Sequence, residues 1–423
     1  MSCAYPLRLL FYSALMAGLS GCGGSSSSNS DHQPDTSPLS QATLGKQLFF
    51  DTNLSASRTQ SCASCHDPEH GFIDSRTGAD GLMRFASLGD DEVSLGDRNA
   101  PTAAYAQFSP EFYQGQRQRF NTDGDFSTYQ GYLGGQFHDG RADDLAAQAG
   151  GPPLNPAEMN MPDKAAVVSR LLENDDYQRQ FTALFGADIW DDTDAAYAAM
   201  TQAIGEFEKS TEFAPFDSRY DRSLLPVGDA NRYTYHPASK AALGKALFFS
   251  TEFTNCAACH QLKPQGQRGE VFTGFEYHNL GVPENTALRA LNGASGPDLG
   301  LQQHVDETSL AGKFKTPTLR NVAVTGPYMH NGVFRQLDTV LLFYEHARQR
   351  ANGKATDFVN PETGVAWRAP EVDRNLSNVE LGSGSKDLSD KQNREALECF
   401  LMSLTDARYE HLLDATKVTE CGL

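Results

Sequence analysis

One pattern occurs twice in this chain and constrains it more than any other. Leu44-Gly45-Lys46-Gln47-Leu48-Phe49-Phe50 precedes Cys62-Ala63-Ser64-Cys65-His66. Leu243-Gly244-Lys245-Ala246-Leu247-Phe248-Phe249 precedes Cys256-Ala257-Ala258-Cys259-His260. The apolar residues of each copy recur at helical spacing, so each reads as a short amphipathic helix with one face buried, leading into a Cys-x-x-Cys-His loop. That loop is the attachment signature of a c-type haem: two thiols bond the vinyl groups and the adjacent His is held under the iron. A zinc site would need four ligands, and neither copy has a second Cys pair nearby. Cys62, Cys65, Cys256 and Cys259 are therefore attachment thiols for two haems, with His66 and His260 as the proximal ligands.

A duplicated leader implies duplicated architecture. Residues 195–211 place Tyr197, Met200, Ile204 and Phe207 at helical spacing, and residues 393–404 do the same with Leu397, Phe400, Leu401 and Leu404. An opening helix crossing a closing helix beside a covalent haem is the layout of a c-type cytochrome. The expected fold is mainly α and loop-rich, with two cytochrome-c-like domains, 41–227 and 228–423. Leu225-Pro226-Val227-Gly228 interrupts the pattern between them. A further helix starts after Asp163, an N-cap, with Val167, Val168, Leu171 and Leu172 as its apolar face. Strand signals are sparse, and 67–136 and 261–308 read as long loops, which in compact domains are often functional.

The N-terminus reads as an export signal. Arg8 is the only charge before an apolar run, 9–19, too short to span a bilayer. Leu19-Ser20-Gly21-Cys22 resembles a lipoprotein cleavage box. On that reading 1–22 is the signal, Cys22 takes the lipid, and 23–40 is a flexible Gly/Ser-rich tether. Asp is absent after Cys22, which directs the anchor to the outer membrane. The location expected is the periplasm, with membrane contact only through the lipid. Cys3 leaves with the signal, and Cys399 and Cys421 remain: either they pair, as an oxidising compartment allows, or Cys399 is a buried helix residue. The net charge of −19 and the lack of a basic stripe disfavour nucleic acid. Such acidity either steers a small basic donor protein or simply keeps the chain soluble.

Further motifs carry a resemblance. They are Leu54-Ser55-Ala56-Ser57, Arg98-Asn99-Ala100-Pro101-Thr102, Asp139-Gly140-Arg141-Ala142, Gln148-Ala149 with Glu158-Met159, Thr316-Pro317-Thr318-Leu319-Arg320-Asn321-Val322-Ala323, and Pro327-Tyr328-Met329-His330. From about Leu44 to the closing helix the chain resembles the bacterial dihaem cytochrome c peroxidases and the related MauG-type enzymes. The resemblance implies that the N-terminal haem is the peroxidatic one, with Glu158 as acid–base residue, Gln148 orienting peroxide or water, and Pro152 lining the pocket. A carboxylate near the iron can take a proton from one peroxide oxygen and return it to the other. The C-terminal haem stores or relays an electron. Its second axial ligand falls on Tyr344, a MauG-type feature, with Met329 or His346 as alternatives. A phenolate lowers the potential, whereas a thioether raises it.

Two further departures from the peroxidases matter. Their usual loop His before Arg98 is missing from Gly89-Asp90-Asp91-Glu92, and His70 lies immediately beyond the haem motif, which implies a sixth site open without reductive activation. The usual Trp before Asp139 is His138, either a bridge between the haems or a structural residue. The resemblance also implies calcium at the Asn99 side chain and the Thr325 and Pro327 carbonyls, oxygen donors that suit this ion. Asp123-Gly124-Asp125 resembles a calcium-loop fragment but reads better as a turn. The expected activity is reduction of hydrogen peroxide with electrons from a small periplasmic cytochrome or copper protein. Alternatives are a MauG-like oxidase acting on a partner protein, and a plain electron-transfer cytochrome with no use for Gln148 or Glu158. The family often forms homodimers.

Overall fold

The computed structural model describes residues 38–119, 128–264, 266, 269–382 and 388–423. The signal, Cys22, most of the tether and Asp123-Gly124-Asp125 lie outside the described residues.

Both opening helices form where the duplicated pattern places them. The first, Gln41–Phe49, is capped by Ser40, whose hydroxyl accepts from the Thr43 N–H. The second, Lys240–Phe249, is capped by Ser239, which accepts from the Ala242 N–H. The first closing helix, Thr193–Glu208, starts earlier than the apolar spacing suggests, because the Asp192 carboxylate accepts from the Asp194 and Ala195 N–H groups. The second, Lys391–Met402, is capped by Asp390. In each half the two helices cross in backbone contact at a glycine. A Cβ on Gly45 would overlap the Ala203 carbonyl, and one on Gly244 would overlap the Ala396 carbonyl. The repeat is thus one of tertiary contact as well as of sequence.

Each crossing anchors its own apolar core. Leu48, Phe49, Phe72, Ile204, Phe207 and Phe213 belong to the first, and Leu247, Phe248, Phe272, Phe343, Leu397 and Phe400 to the second. Residues 39–423 nevertheless make one compact unit. Val271 and Phe275 belong to the first core while Phe272 between them belongs to the second. The helix Arg219–Ser223 also contributes Tyr220 to the second core, packed edge-on against Phe272 and Phe400. Polar contacts lock the halves together. Arg320, fully buried, donates to both Asp221 carboxylate oxygens at 2.6 Å. The Tyr105 hydroxyl donates to Asp406 at 2.6 Å, and Asn321 donates to the other oxygen at 2.8 Å.

The helix after Asp163 runs Lys164–Leu171 and buries Val167, Val168 and Leu171. Leu172 caps it and is 39% exposed, so the apolar face is one residue shorter than its sequence pattern. The expected loop 67–136 contains a hairpin, β1 (Tyr113–Gln118) paired antiparallel with β2 (Thr128–Leu133). Gln and Thr fill most of its exposed positions and Gly two of the half-buried ones, leaving too few inward apolar residues to show the period of two. A bridge from Leu133 to Glu276 joins it to β3 (Tyr277–His278), which pairs with β4 (Phe314–Lys315). Cys399 and Cys421 are disulfide-bonded, tying the last helix, Ala415–Cys421, to the second closing helix. Closing this loop restricts the unfolded chain by about 3 kcal/mol in the chain-entropy account.

Because the Gly45 and Gly244 contacts are with backbone, no side chain can swing away. Gly45→Ala and Gly244→Ala should each cost about 1–3 kcal/mol, whereas Gly96→Ala, whose Cβ would meet nothing nearer than 3.8 Å, should be near neutral. Denaturant unfolding of the haem-loaded protein measures all three.

Candidate active site in two haem cavities

Each Cys-x-x-Cys-His loop opens onto a cavity. The N-terminal one, about 630 Å3, is lined by Cys62, Cys65 and His66 together with Gln148, Pro152 and Glu158. The C-terminal one, about 370 Å3, is lined by Cys256, Cys259 and His260 together with Tyr344. Both volumes lie in the range of small-molecule and cofactor sites.

The two histidines are held by the same device. His66 Nδ1 lies 3.1 Å from the Phe72 carbonyl and His260 Nδ1 lies 2.9 Å from the Phe272 carbonyl. Both phenylalanines have left-handed backbones, φ 57° and 53°, and buried rings. A ring whose Nδ1–H is given to a carbonyl is neutral and offers Nε2 as the ligand nitrogen. Burial supports that state, lowering the pKa of His66 and bringing His260 down to about 4. Burial also pushes the Cys65 and Cys256 thiols up to about 11, so neither is a ready thiolate. Two vicinal thiols and a neutral imidazole at the wall of a cavity suit a covalently attached haem.

On the N-terminal side, the short helix Leu145–Ala149, capped by Asp144, presents Gln148, and the turn that follows carries Pro152 and Glu158. Asn155 donates to Glu158 Oε1 at 2.9 Å. Burial raises the Glu158 pKa, against the opposing effects of nearby Arg141 and of Asn155. Arg141 lies over the Phe137 ring at 3.6 Å and donates to Asp139. The loop that carries no His is pinned. Asp90 accepts from the Ser57 N–H and from the Thr59 hydroxyl, both at 2.8 Å, and its own N–H donates to the Glu158 carbonyl at 2.7 Å. Burial opposes the Asp90 charge, but the bonds from Ser55, Thr59 and Ser57 win and bring its pKa down to about 2. His70 is not among the residues lining either cavity; its Nδ1 pairs with Asp67 at 2.7 Å.

On the C-terminal side, Tyr344 projects from the helix Leu337–Ala351, and burial holds its phenol well above the usual value. Met329 also lines this cavity. His346 does not: its Nδ1 is 2.7 Å from the Thr356 hydroxyl and its ring stacks on Trp367. Asn99, Thr325 and Pro327 all line the C-terminal cavity, and the Asn99 amide donates to the Phe85 carbonyl, which leaves Oδ1 as an acceptor. His138 lines both cavities, its Nε2 2.9 Å from the Asn99 carbonyl, and burial lowers its pKa to about 3.

The profile of the di-haem cytochrome c peroxidase family matches residues 40–226. MauG, the methylamine utilization protein of Paracoccus denitrificans, is 44% identical over 385 residues, covering 90% of this chain and 92% of its own. The chain belongs to the di-haem cytochrome c peroxidase and MauG family. Cytochrome c551 peroxidase of Nitrosomonas europaea is 30% identical, covering 69% of this chain and 68% of its own. The solved dihaem peroxidase BthA of Burkholderia thailandensis superposes with a TM-score of 0.70 at 30% identity, covering 89% of this chain and 88% of that one. Two c-type haems and peroxide-directed oxidoreductase chemistry follow from membership.

Within the family frame, several motif residues turn out to be scaffold. Arg98 binds Asp139 at 2.6 Å and both oxygens of Asp298 at 2.6 and 2.7 Å, which joins two of the family motifs. Sequence reasoning missed a buried cluster in which ligand atoms of Cys259, Glu276 and His278 lie within 4.8 Å of one another. Cys259 belongs to an attachment motif, which leaves two groups and a poor metal site. Arg119 from the hairpin binds Glu276 at 2.7 Å instead. Nothing in the separate stretches of sequence signals that pairing.

Asp90 titrates low in the folded chain, so its anchoring is fully present above the ordinary carboxylate value near 3.8 and is lost as pH falls toward 2. Asp90→Ala should imitate that loss at neutral pH: amide exchange across 87–96 should quicken while the second closing helix stays protected.

Proposed function

We propose that this chain is a dihaem peroxidase of the periplasm that reduces hydrogen peroxide to water at its N-terminal site without prior reductive activation. The observation that carries the reading is the pinned loop at Asp90, whose flanking Ser87 and Leu95 line the same cavity as Glu158 and Gln148. No histidine stands in that loop to close the sixth position, and its anchors run to the Glu158 backbone itself. When bound, the haems supply the iron centres at which the O–O bond breaks and through which electrons pass.

The chain's own residues then have definite tasks. Cys62 and Cys65 hold the first group and Cys256 and Cys259 the second. His66 and His260, each fixed by a Phe carbonyl, are the proximal ligands. Glu158 takes the proton from the inner peroxide oxygen and gives it to the outer one, a task its raised pKa suits. Asn155 holds Glu158 in place, and Gln148 hydrogen-bonds peroxide or water. Tyr344, which lines the same cavity as His260, would help His260 hold the iron of the C-terminal group. His138, neutral and set between the cavities, bridges them through the Asn99 carbonyl. Asn99, Thr325 and Pro327 hold calcium against the same wall.

Electrons come from a small periplasmic cytochrome or copper protein, which the charge of −19 would attract if it is basic. The Cys399–Cys421 disulfide suits an oxidising compartment. No helix among the described residues is long and apolar enough to cross a membrane, and the lipid at Cys22 is the proposed attachment, to the outer membrane. A homodimer is the assembly proposed from family habit. The second reading is a MauG-like oxidase that draws electrons from residues of a partner protein; Tyr344 in the C-terminal cavity and the extent of the match to MauG favour it.

Fully ferric haem-loaded protein mixed with one equivalent of peroxide, with no reductant, should react at once in stopped-flow absorbance. Silence until one haem is pre-reduced would sink the open-site reading. Glu158→Gln should slow that reaction by ~10²–10⁴. In the native protein the rate should rise with pH as the carboxylate forms, above the ordinary glutamate range; the variant should lose that rise.

A further inference from the structure

The first closing helix ends on an anomaly. Glu208 is 5% exposed, lines the N-terminal cavity, and makes no hydrogen bond or ion pair among the described residues. The nearby lysines in the helix and the one it crosses pair with other acids: Lys46 donates to Glu212, and Lys209 donates to Glu206. Burying an unpaired carboxylate is costly, and the usual relief is to keep the proton. Burial alone raises the Glu208 pKa to about 8, so it is a neutral acid at pH 7. Two residues on, the Ser210 hydroxyl is also buried without a partner. Two buried polar groups left without partners among the described residues at one helix end, one of them at the cavity wall, are the signature of bound water. Glu208, Glu158 and Cys62 all line this one cavity.

Peroxide reduction consumes protons as well as electrons: one peroxide, two protons and two electrons give two waters. Glu158 can move a proton between the peroxide oxygens, but the two consumed must be delivered to that site from elsewhere. We propose that Glu208 is the proton store of the N-terminal cavity, passing its proton through confined water to the Glu158 site and refilling past Ser210. This rests on the role given to Glu158 above. Glu208 acts through that site and does not touch peroxide, so it is a positioning residue. The electrons come from the donor of the peroxidase reaction.

The test uses full-length, haem-loaded ferric protein with carboxyl-labelled glutamate. At neutral pH, Glu158→Gln protein should show an infrared band of a protonated carboxyl that shifts in D2O, and adding Glu208→Gln should remove it. In turnover with a reduced donor protein, where the two protons are consumed, Glu208→Gln should slow peroxide reduction by about tenfold, less than loss of a direct acid–base group, and enlarge its solvent isotope effect. Glu208→Asp should recover most of the rate. Absence of the band in Glu158→Gln protein overturns the proposal even if Glu208→Gln fails to load haem. An unchanged rate and isotope effect in Glu208→Gln, with Glu158→Gln slow, overturns the proposal and leaves Glu158 standing. A Glu158→Gln protein as fast as native removes the acid–base reading and the store with it.

Discussion

Two glycines let pairs of helices cross in backbone contact, Gly45 on the Ala203 carbonyl and Gly244 on the Ala396 carbonyl. Everything else in each half is placed from that crossing. It fixes the opening helix, which delivers the Cys-x-x-Cys-His loop to a cavity on the flank of the closing helix. The aromatic residues around the crossing, Phe49 with Phe207 and Phe213 in one half and Phe248 with Phe400 in the other, bury the area that keeps the helices together. A Cβ at either glycine would separate the helices and shift the loop with them. The same logic explains the left-handed Phe72 and Phe272: strained backbones that aim a carbonyl at the histidine of each Cys-x-x-Cys-His motif, a cost borne by packing elsewhere.

The duplicated halves have diverged in what faces the cavity. The first sets carboxyls and an amide around its site, Glu158, Gln148 and the buried Glu208. The second presents Tyr344 and Met329 within a more apolar wall. One half thus has the more polar cavity wall and the other the more apolar one, on one scaffold. They meet at His138 and Asn99, which line both cavities, and at the interleaved residues 271–275. A site divided this way depends on rigid registration of the halves, and the Arg320–Asp221 and Arg98–Asp298 pairs supply it. Breaking one partner of such buried pairs costs more than the pair contributes, because the other charge is left without a counterion.

The hairpin Tyr113–Gln118 and Thr128–Leu133 ties a remote stretch of chain to the C-terminal half. It carries Arg119 to the buried Glu276 beside Cys259. The glutamate thus lies between Arg119 at 2.7 Å and His278 at 3.3 Å. The Tyr129 hydroxyl on the hairpin accepts from the Tyr277 N–H, so the hairpin is bonded to the sheet that abuts the C-terminal cavity.

The sequence by itself determined the two attachment motifs, the four amphipathic helices that frame them and the residues of each apolar face, because these are local signals of period and spacing. Motif likeness extended that to Glu158, Gln148 and Tyr344, and the structure brings each to the cavity expected of it. Local pattern failed where the partner is remote. The hairpin has too few buried positions to show its period, and whether Cys399 meets Cys421 depends on how the last helix folds back. Only tertiary structure decided that Asp90 ties its loop to Glu158, that His138 stands between two cavities, and that Glu208 is buried with no partner among the described residues. The first two are contacts between segments far apart in the chain, and burial, which sets the charge states, belongs to the packed molecule and not to any residue in it.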